Sequence, residues 1–458
     1  MLIKPSKYNF IYSIDSDTSV VFNSLTTGMI ELNKELLHYL GVQQINTDDI
    51  PNEKKESILN LYNEKFLVKE DIDETLVVKH LYHHTQYEMG HLNITIAPTL
   101  NCNLKCLYCY ESGIREKNKS LYMSDDIQKN IVIYIENIIK RNRDIKKVNV
   151  TWYGGEPLLF ANIVKNLSEK LLYISNKYGI EYSSSMITNG TLINKNEIYS
   201  LVKESNINSF QITLDGDRKI HNSRRTKLDG SGTYDEIINS ILTLHKDNRD
   251  VGVRINLDKN NCESVFKLID HLAELNLKDL FIHLGHLRPY TEGCINTGIE
   301  YLTVKEFSEK HKILFSYLEK KGFKKTTEVY YPAMAKPCIA CRKDSLVIDS
   351  LGNVYKCRTE IGEINKRIGN VCNEVHSDEE QMRKIEWMEW DPFAKKECLE
   401  CKYLPLCFGG CGYCSKNIEG YEVCSEWKYY LNHYLDSIYR IVNSSSEQYK
   451  KGSIIDEN

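Results

Sequence analysis

The chain has 458 residues, enough for two or three domains with a sizeable core in the largest. Its 59 Lys and Arg against 63 Asp and Glu give a formal net charge of −4 with no basic stripe, which argues against a nucleic-acid partner. The N-terminus lacks the apolar run of a signal peptide and no stretch of about 18 apolar residues occurs, so a cytoplasmic protein without membrane contact is expected.

Residues 1–85 predict a small α/β unit. "YNFIYSI" and "SVVFNS" alternate like a hairpin pair, and "TGMIELNKELLHYLG" has helical spacing ending at Gly41. "NEKKESILNLYNEKFLV" reads as a second helix followed by an edge strand. Two short helices beside a small sheet suggest a winged-helix-like module. The plainer reading is a cap on the next domain.

Residues 86–322 are rhythmic. β-rich runs at "HLNITIAP", "VNVTWY", "SSMIT", "FQITLD", "VGVRINLD" and "DLFIHLG" are each followed by a helical stretch. Six strand-then-helix units predict an α/β fold with a parallel sheet, curved into a partial, TIM-like (β/α)6 barrel. Chemistry in such a fold sits beyond the C-terminal strand ends.

From 323 to 440 the helical rhythm stops and a Cys-rich, loop-rich segment follows, one that metal clusters could order. Residues 441–458 read as a polar, frayed tail.

The 15 cysteines sit mainly at two addresses. In a reducing compartment metal ligation explains them better than disulfides. Cys102, Cys106 and Cys109 form a C-x3-C-x2-C array just after the first strand. A 4Fe–4S cubane normally takes four thiolates, so three leave one iron open. Zinc or a redox thiol remains an alternative on spacing alone. Tyr108 and Tyr110 stand where they would shield a cluster from water.

"CNLKCLYCY" after a first strand resembles the signature of radical S-adenosylmethionine (SAM) enzymes. In that family the open iron chelates SAM, and an electron passed to the sulfonium yields a 5′-deoxyadenosyl radical that abstracts hydrogen. "WYGGEP" after the second strand, an ordinary turn in isolation, resembles the family's amine-binding motif, with Gly154, Gly155 and Glu156. "TNG" (Thr188, Asn189, Gly190) ends the third strand. "TLDG" (Thr213, Asp215) ends the fourth and leads to "IHNSRR". The resemblance implies a ribose partner at Thr213 and a carboxylate-binding Arg225. Arg254 on strand five would face the cofactor or pair with an acid, and Leu287 would cover the adenine. His221 and His283 are equally explained as packing residues.

The second address runs Cys338, Cys341, Cys357, then Cys398-x2-Cys401-x5-Cys407-x3-Cys411, then Cys424. It resembles the SPASM extension of radical SAM enzymes that modify peptides or proteins. The resemblance implies two auxiliary 4Fe–4S clusters, one on Cys338, Cys341, Cys357 and Cys411, the other on Cys398, Cys401, Cys407 and Cys424. Cys341 is a spare if one iron is left for substrate. Cys372 and Cys414 fit no ligand slot.

Anaerobic sulfatase-maturating enzymes share these motifs, but they begin almost at the cysteine array and place a basic Asp where this chain has Arg358. The front module resembles the element that binds leader peptides of ribosomally made natural products. The expectation is a peptide maturase that cross-links its precursor, forming a Cys thioether, with flavodoxin or ferredoxin as electron donor. Carbon–carbon cross-linking and epimerisation stay open, and formylglycine formation or a non-catalytic electron carrier are the alternatives.

Overall fold

The computed structural model describes residues 1–117, 122–291, 294, 297–329, 332–373, 375–419 and 424–452. Six parallel strands run side by side in reverse chain order, from Phe281–His286 through Asp250–Leu257, Ser209–Thr213, Glu181–Thr188 and Lys147–Trp152 to His91–Ile96. Sequential order with crossovers of one hand puts every connecting helix on the same face. Leu92, Ile94 and Ile96 therefore face helices such as Asp125–Arg141, which buries Ile131, Ile135 and Ile139 at four-residue spacing.

The alternate strand positions line the concave face, and they are polar. Asn149 donates to Asn93 at 2.9 Å and accepts from Ser183, while Thr151 and Ser185 meet at 3.2 Å. Paired across neighbouring strands, these groups are satisfied without water.

The Cys-rich segment does not stand apart from this sheet. Ser345–Ile348 adds a seventh parallel strand against His91–Ile96, and Asn353–Tyr355 and Gly369–Asn370 continue antiparallel. Helices Asp378–Met388 and Trp427–Gly452 also follow, so helical structure returns after 323. The last helix runs through most of the expected polar tail; residues 453–458 lie outside the described residues. Trp427, Tyr430, Leu431, Tyr434 and Leu435 form its inward stripe, an i, i+3, i+4, i+7, i+8 pattern the Cys-rich reading passed over.

In the N-terminal unit the stretch at 27–41 is not one helix. Met29–Asn33 is a third strand of the Asn9–Ser13/Thr18–Asn23 meander, followed by a short helix at Lys34–Leu37. Asn33 decides the break: its side chain caps the helix by accepting from the Leu36 N–H. A second sheet pairs Leu2–Pro5 with Ile45–Asn46 and Leu67–Lys69. Helix Asn52–Asn63 and its following edge strand are as expected.

Helix Glu74–Tyr87, capped by Asp73, crosses the expected boundary at 85. Its Tyr82 packs on Phe393 and Phe408, while Phe10 and Phe22 pack with Leu406, Leu431 and Leu435. The N-terminal unit and the Cys-rich segment thus share apolar clusters. Among the described residues no helix is long and apolar enough to cross a membrane.

Candidate functional site

A cavity of about 400 Å³ opens at the C-terminal ends of the parallel strands. Cys102, Cys106 and Cys109 all line it. Burial pushes the Cys102 and Cys109 thiols up to about 12.

A two-stranded ladder clips this array to the far side of the barrel. Leu104–Cys106 pairs antiparallel with Arg225–Lys227, setting Cys106 opposite Arg225. Arg225 donates to the Tyr108 hydroxyl at 2.8 Å, and that hydroxyl donates to Asp215. Asn256 also reaches the Tyr108 hydroxyl, at 3.2 Å. The Arg225 Nε, the Arg115 Nε and one Glu111 carboxylate oxygen are buried without a hydrogen-bond partner. Burial holds the Glu111 carboxyl up near about 7.

The glycines of "WYGGEP" have a packing reason. Gly154 has φ +109°, and a Cβ on Gly155 would collide with the Leu100 and Asn101 carbonyls. Glycine lets the end of strand two lie flush on the loop that enters Cys102. Glu156 points away from the cavity. Its carboxylate accepts from the Leu158 N–H at 3.0 Å, the Thr188 hydroxyl at 2.8 Å and the Asn189 N–H at 2.7 Å.

Of the residues expected around a cofactor, Tyr108, Gly154, Gly155, Thr188, Asn189, Thr213, Arg225, Arg254 and Leu287 line the cavity. Glu156 and Asp215 do not; both are fully buried behind it. In this structure the Glu156 carboxylate is engaged by two backbone N–H groups and a hydroxyl. His221 is a buried hydrogen-bonding residue, accepting from the Asp215 N–H at 3.3 Å, and burial beside Arg225 pushes it down to about 3.

Sequence reasoning missed Arg115, Tyr153, Gln211, Asn256 and Tyr290 as wall residues. Gln211 and Asn256 were within reach, since each sits two residues from a chosen strand position, Thr213 or Arg254, and so shares its face. Tyr290 lies beyond any strand period.

The second address resolves into two groups. Cys338, Cys341, Cys357 and Cys411 are electrostatic neighbours, and Cys414 joins them through a hydrogen bond with Cys411. That bond brings the Cys411 thiol down to about 6. Cys398, Cys401, Cys407 and Cys424 form the other group. Cys372 stands apart, accepting from Asn130 at 3.2 Å. Among the described residues no three His, Cys, Asp or Glu side chains converge as ligands of a single ion would.

Residues 96–272 match the radical SAM superfamily. The cysteine-type anaerobic sulfatase-maturating enzyme of Clostridium novyi is 25% identical over 351 residues, covering 70% of this chain and 88% of that protein. Among solved structures, anSMEcpe with bound AdoMet aligns with a TM-score of 0.59 at 22% identity, over 78% of this chain and 95% of its own. SuiB of Streptococcus suis bound to its precursor peptide SuiA aligns with a TM-score of 0.52 at 14% identity, over 93% and 99%. Residues 96–272 thus form a radical SAM domain, and the fold of the chain resembles that of these two proteins. The superfamily implies a 4Fe–4S cluster and SAM.

Proposed function

We propose that this chain is a peptide maturase that uses SAM and a 4Fe–4S cluster at the first cysteine array to cross-link a ribosomally made precursor by a Cys thioether. The residues present fit those groups. Three thiols line the cavity, and buried Nε groups of Arg225 and Arg115 have no hydrogen-bond partner. Bound there, SAM and the cluster supply one-electron cleavage of the sulfonium and hydrogen abstraction from carbon.

The chain's own part is holding and shielding. Cys102, Cys106 and Cys109 hold three irons and leave the fourth open. Arg225 offers its free Nε to the SAM carboxylate, and Tyr108 and Asp215 brace that guanidinium. The Gly154–Gly155 backbone meets the amino-acid end, Thr213 the ribose, and Leu287 the adenine. Tyr108 and Tyr110 keep water from the cluster side. Cys338, Cys341, Cys357 and Cys411 hold one auxiliary cluster, Cys398, Cys401, Cys407 and Cys424 a second, as in a SPASM domain. The N-terminal unit is a winged-helix-like leader-binding element.

The observation that carries this reading is the N-terminal unit packed against the Cys-rich segment. The SuiB likeness covers too much of the chain to leave that unit out, and SuiB is the protein seen with a precursor peptide. A second reading, sulfatase maturation, is favoured by the Clostridium novyi relative.

Anaerobic, reconstituted and reduced protein is expected to turn SAM into 5′-deoxyadenosine, and Cys106→Ala to abolish this while retaining the auxiliary clusters. Brown protein that forms no 5′-deoxyadenosine would be an electron carrier, and colourless protein a zinc protein. A short Cys-rich peptide encoded beside the gene should lose two hydrogens and its free thiol. Conversion of a sulfatase peptide to formylglycine instead would establish the second reading.

A further inference from the structure

We propose that the cavity holds a carboxylate of the peptide substrate, gripped by Arg358 with Arg254 beside it. This deepens the peptide-maturase reading and rests on it. Arg358 follows Cys357 in the chain, yet its side chain reaches into the barrel mouth. Its Nε donates to the Thr95 hydroxyl at 3.1 Å, and its guanidinium carbon lies 5.5 Å from the centre of the Tyr153 ring. Arg254 donates from Nε to Asn256 at 2.8 Å and places another nitrogen 3.3 Å from the His283 Nδ1. It lies across Gly285, where a Cβ would stand 2.7 Å from the guanidinium. Both arginines line the same cavity, and both charges act on the Tyr153 hydroxyl.

Neither has an acidic partner among the described residues. The contrast within this molecule is plain: Arg224 is bound to Asp258 at 2.7 Å, and Arg342 is bound to Asp344. An arginine cannot shed its proton to escape burial, so a shielded guanidinium without a counter-charge is expensive. Here the terminal nitrogens of Arg358 have no protein acceptor among the described residues and remain available to the cavity.

The cofactors of the first array do not supply the missing charge; the cluster proposed on Cys338, Cys341, Cys357 and Cys411 would bring negative charge beside Arg358, on which Cys357 and Cys338 act, but leaves Arg254 without a counter-charge. SAM carries a sulfonium, an ammonium and one carboxylate, while an oxidised cubane on three thiolates carries about one negative charge, so together they are nearly neutral. Arg225 and Arg115 already stand beside those thiols. A carboxylate from substrate is the group that fits a guanidinium fork, through two parallel N–H···O bonds. It can come from an Asp or Glu side chain or from a peptide C-terminus.

The test uses the anaerobic, cluster-loaded full chain saturated with SAM. Pentapeptides Gly-Ala-X-Ala-Gly carrying a neutral dye are titrated by fluorescence anisotropy in three forms. One has X = Asp and an amide end, one X = Asn and a free acid end, and one X = Asn and an amide end. At least one acidic form is expected to bind about tenfold tighter than the neutral one, and which form does so identifies the source of the carboxylate. Arg358→Gln should erase the preference, and Arg358→Lys should restore only part, because an ammonium cannot form the fork. If Arg358→Gln loses its cluster absorption, Arg254→Gln serves in its place with the same expected loss.

Equal binding of all three forms, including none at all, overturns the proposal. So does an acidic preference that survives in Arg358→Gln. A shift in the cluster electron paramagnetic resonance without a change in preference would assign Arg358 to the cluster at Cys357 instead. Absence of 5′-deoxyadenosine from the reduced wild-type enzyme would sink the radical reading separately, since anisotropy does not depend on turnover.

Discussion

Glu156 and Thr188 meet at 2.8 Å across two neighbouring strand ends, with the Thr188 hydroxyl donating to a fully buried carboxylate. The same carboxylate accepts from the Asn189 and Leu158 N–H groups, so it ties the end of strand three to the turn after strand two. Glu156→Ala leaves two backbone donors and a hydroxyl unpaired in a water-poor site. The expected cost is about 2–4 kcal/mol, with Thr188→Val costing about 1 kcal/mol. Chemical unfolding of the metal-free chains measures both. A Glu156→Ala chain as stable as wild type would place the carboxylate on a ligand instead.

Gly155→Ala tests the close approach of strand two to the cysteine loop. The added Cβ meets backbone carbonyls of Leu100 and Asn101, which cannot swing aside as a side chain would. The loop entering Cys102 must move, and the first cluster is expected to be lost. On the proposed set of three clusters, iron should fall from about twelve to about eight per chain, with the auxiliary clusters retained. An iron count equal to wild type would refute this.

The N-terminal unit is expected to be structural as well as functional. Tyr8, Val78 and Tyr82 share a buried cluster with Phe393, Leu404 and Phe408. Tyr82→Ala should cost about 3–5 kcal/mol by opening a cavity there. Removal of residues 1–85 cuts through helix Glu74–Tyr87 and exposes this apolar surface. A truncated chain should therefore aggregate or lose iron from the Cys398–Cys424 group, not only bind precursor less well. Gel filtration with iron analysis separates the two outcomes.

A set of buried histidines predicts acid sensitivity well above the carboxylate range. His311 is buried and hydrogen-bonded to the Tyr434 hydroxyl at 2.7 Å, and burial holds it down to about 3. His283 is likewise pushed down to about 3, by burial and by Arg254. The folded state keeps both neutral, while the unfolded chain takes up their protons below about pH 6.5. Stability is therefore full above that value and is lost as pH falls from about 6.5 toward about 3, by up to about 1.4 kcal/mol per pH unit for each group. The midpoint of thermal unfolding should drop between pH 7.5 and 5.5, and drop less in His311→Gln. An identical drop in that variant would exclude His311 as a source.

Several features were legible because they depend on neighbours in the chain. The six strands announced themselves through runs such as "HLNITI" and "VNVTWY", and the helices between them through caps and four-residue spacing. The cysteine array needed only its own spacing. The strand at Met29–Asn33 was misread because "MIEL" also fits a helix, and only pairing with Thr18–Asn23 chose between them. The final helix was readable from its apolar stripe, although it directly follows the Cys-rich segment that ends at Cys424.

What the sequence alone determined, then, is the order of elements, the barrel rhythm and the grouping of thiols, since each is written in residues a few positions apart. Only the tertiary structure decided which way side chains face once strands are neighbours. It turned Glu156 and Asp215 inward, set Cys106 opposite Arg225, and left Arg254 and Arg358 bordering the cavity without an ion-pair partner among the described residues. A charge's partner is chosen by distance in space, and local periodicity carries no record of which distant segment will arrive beside it.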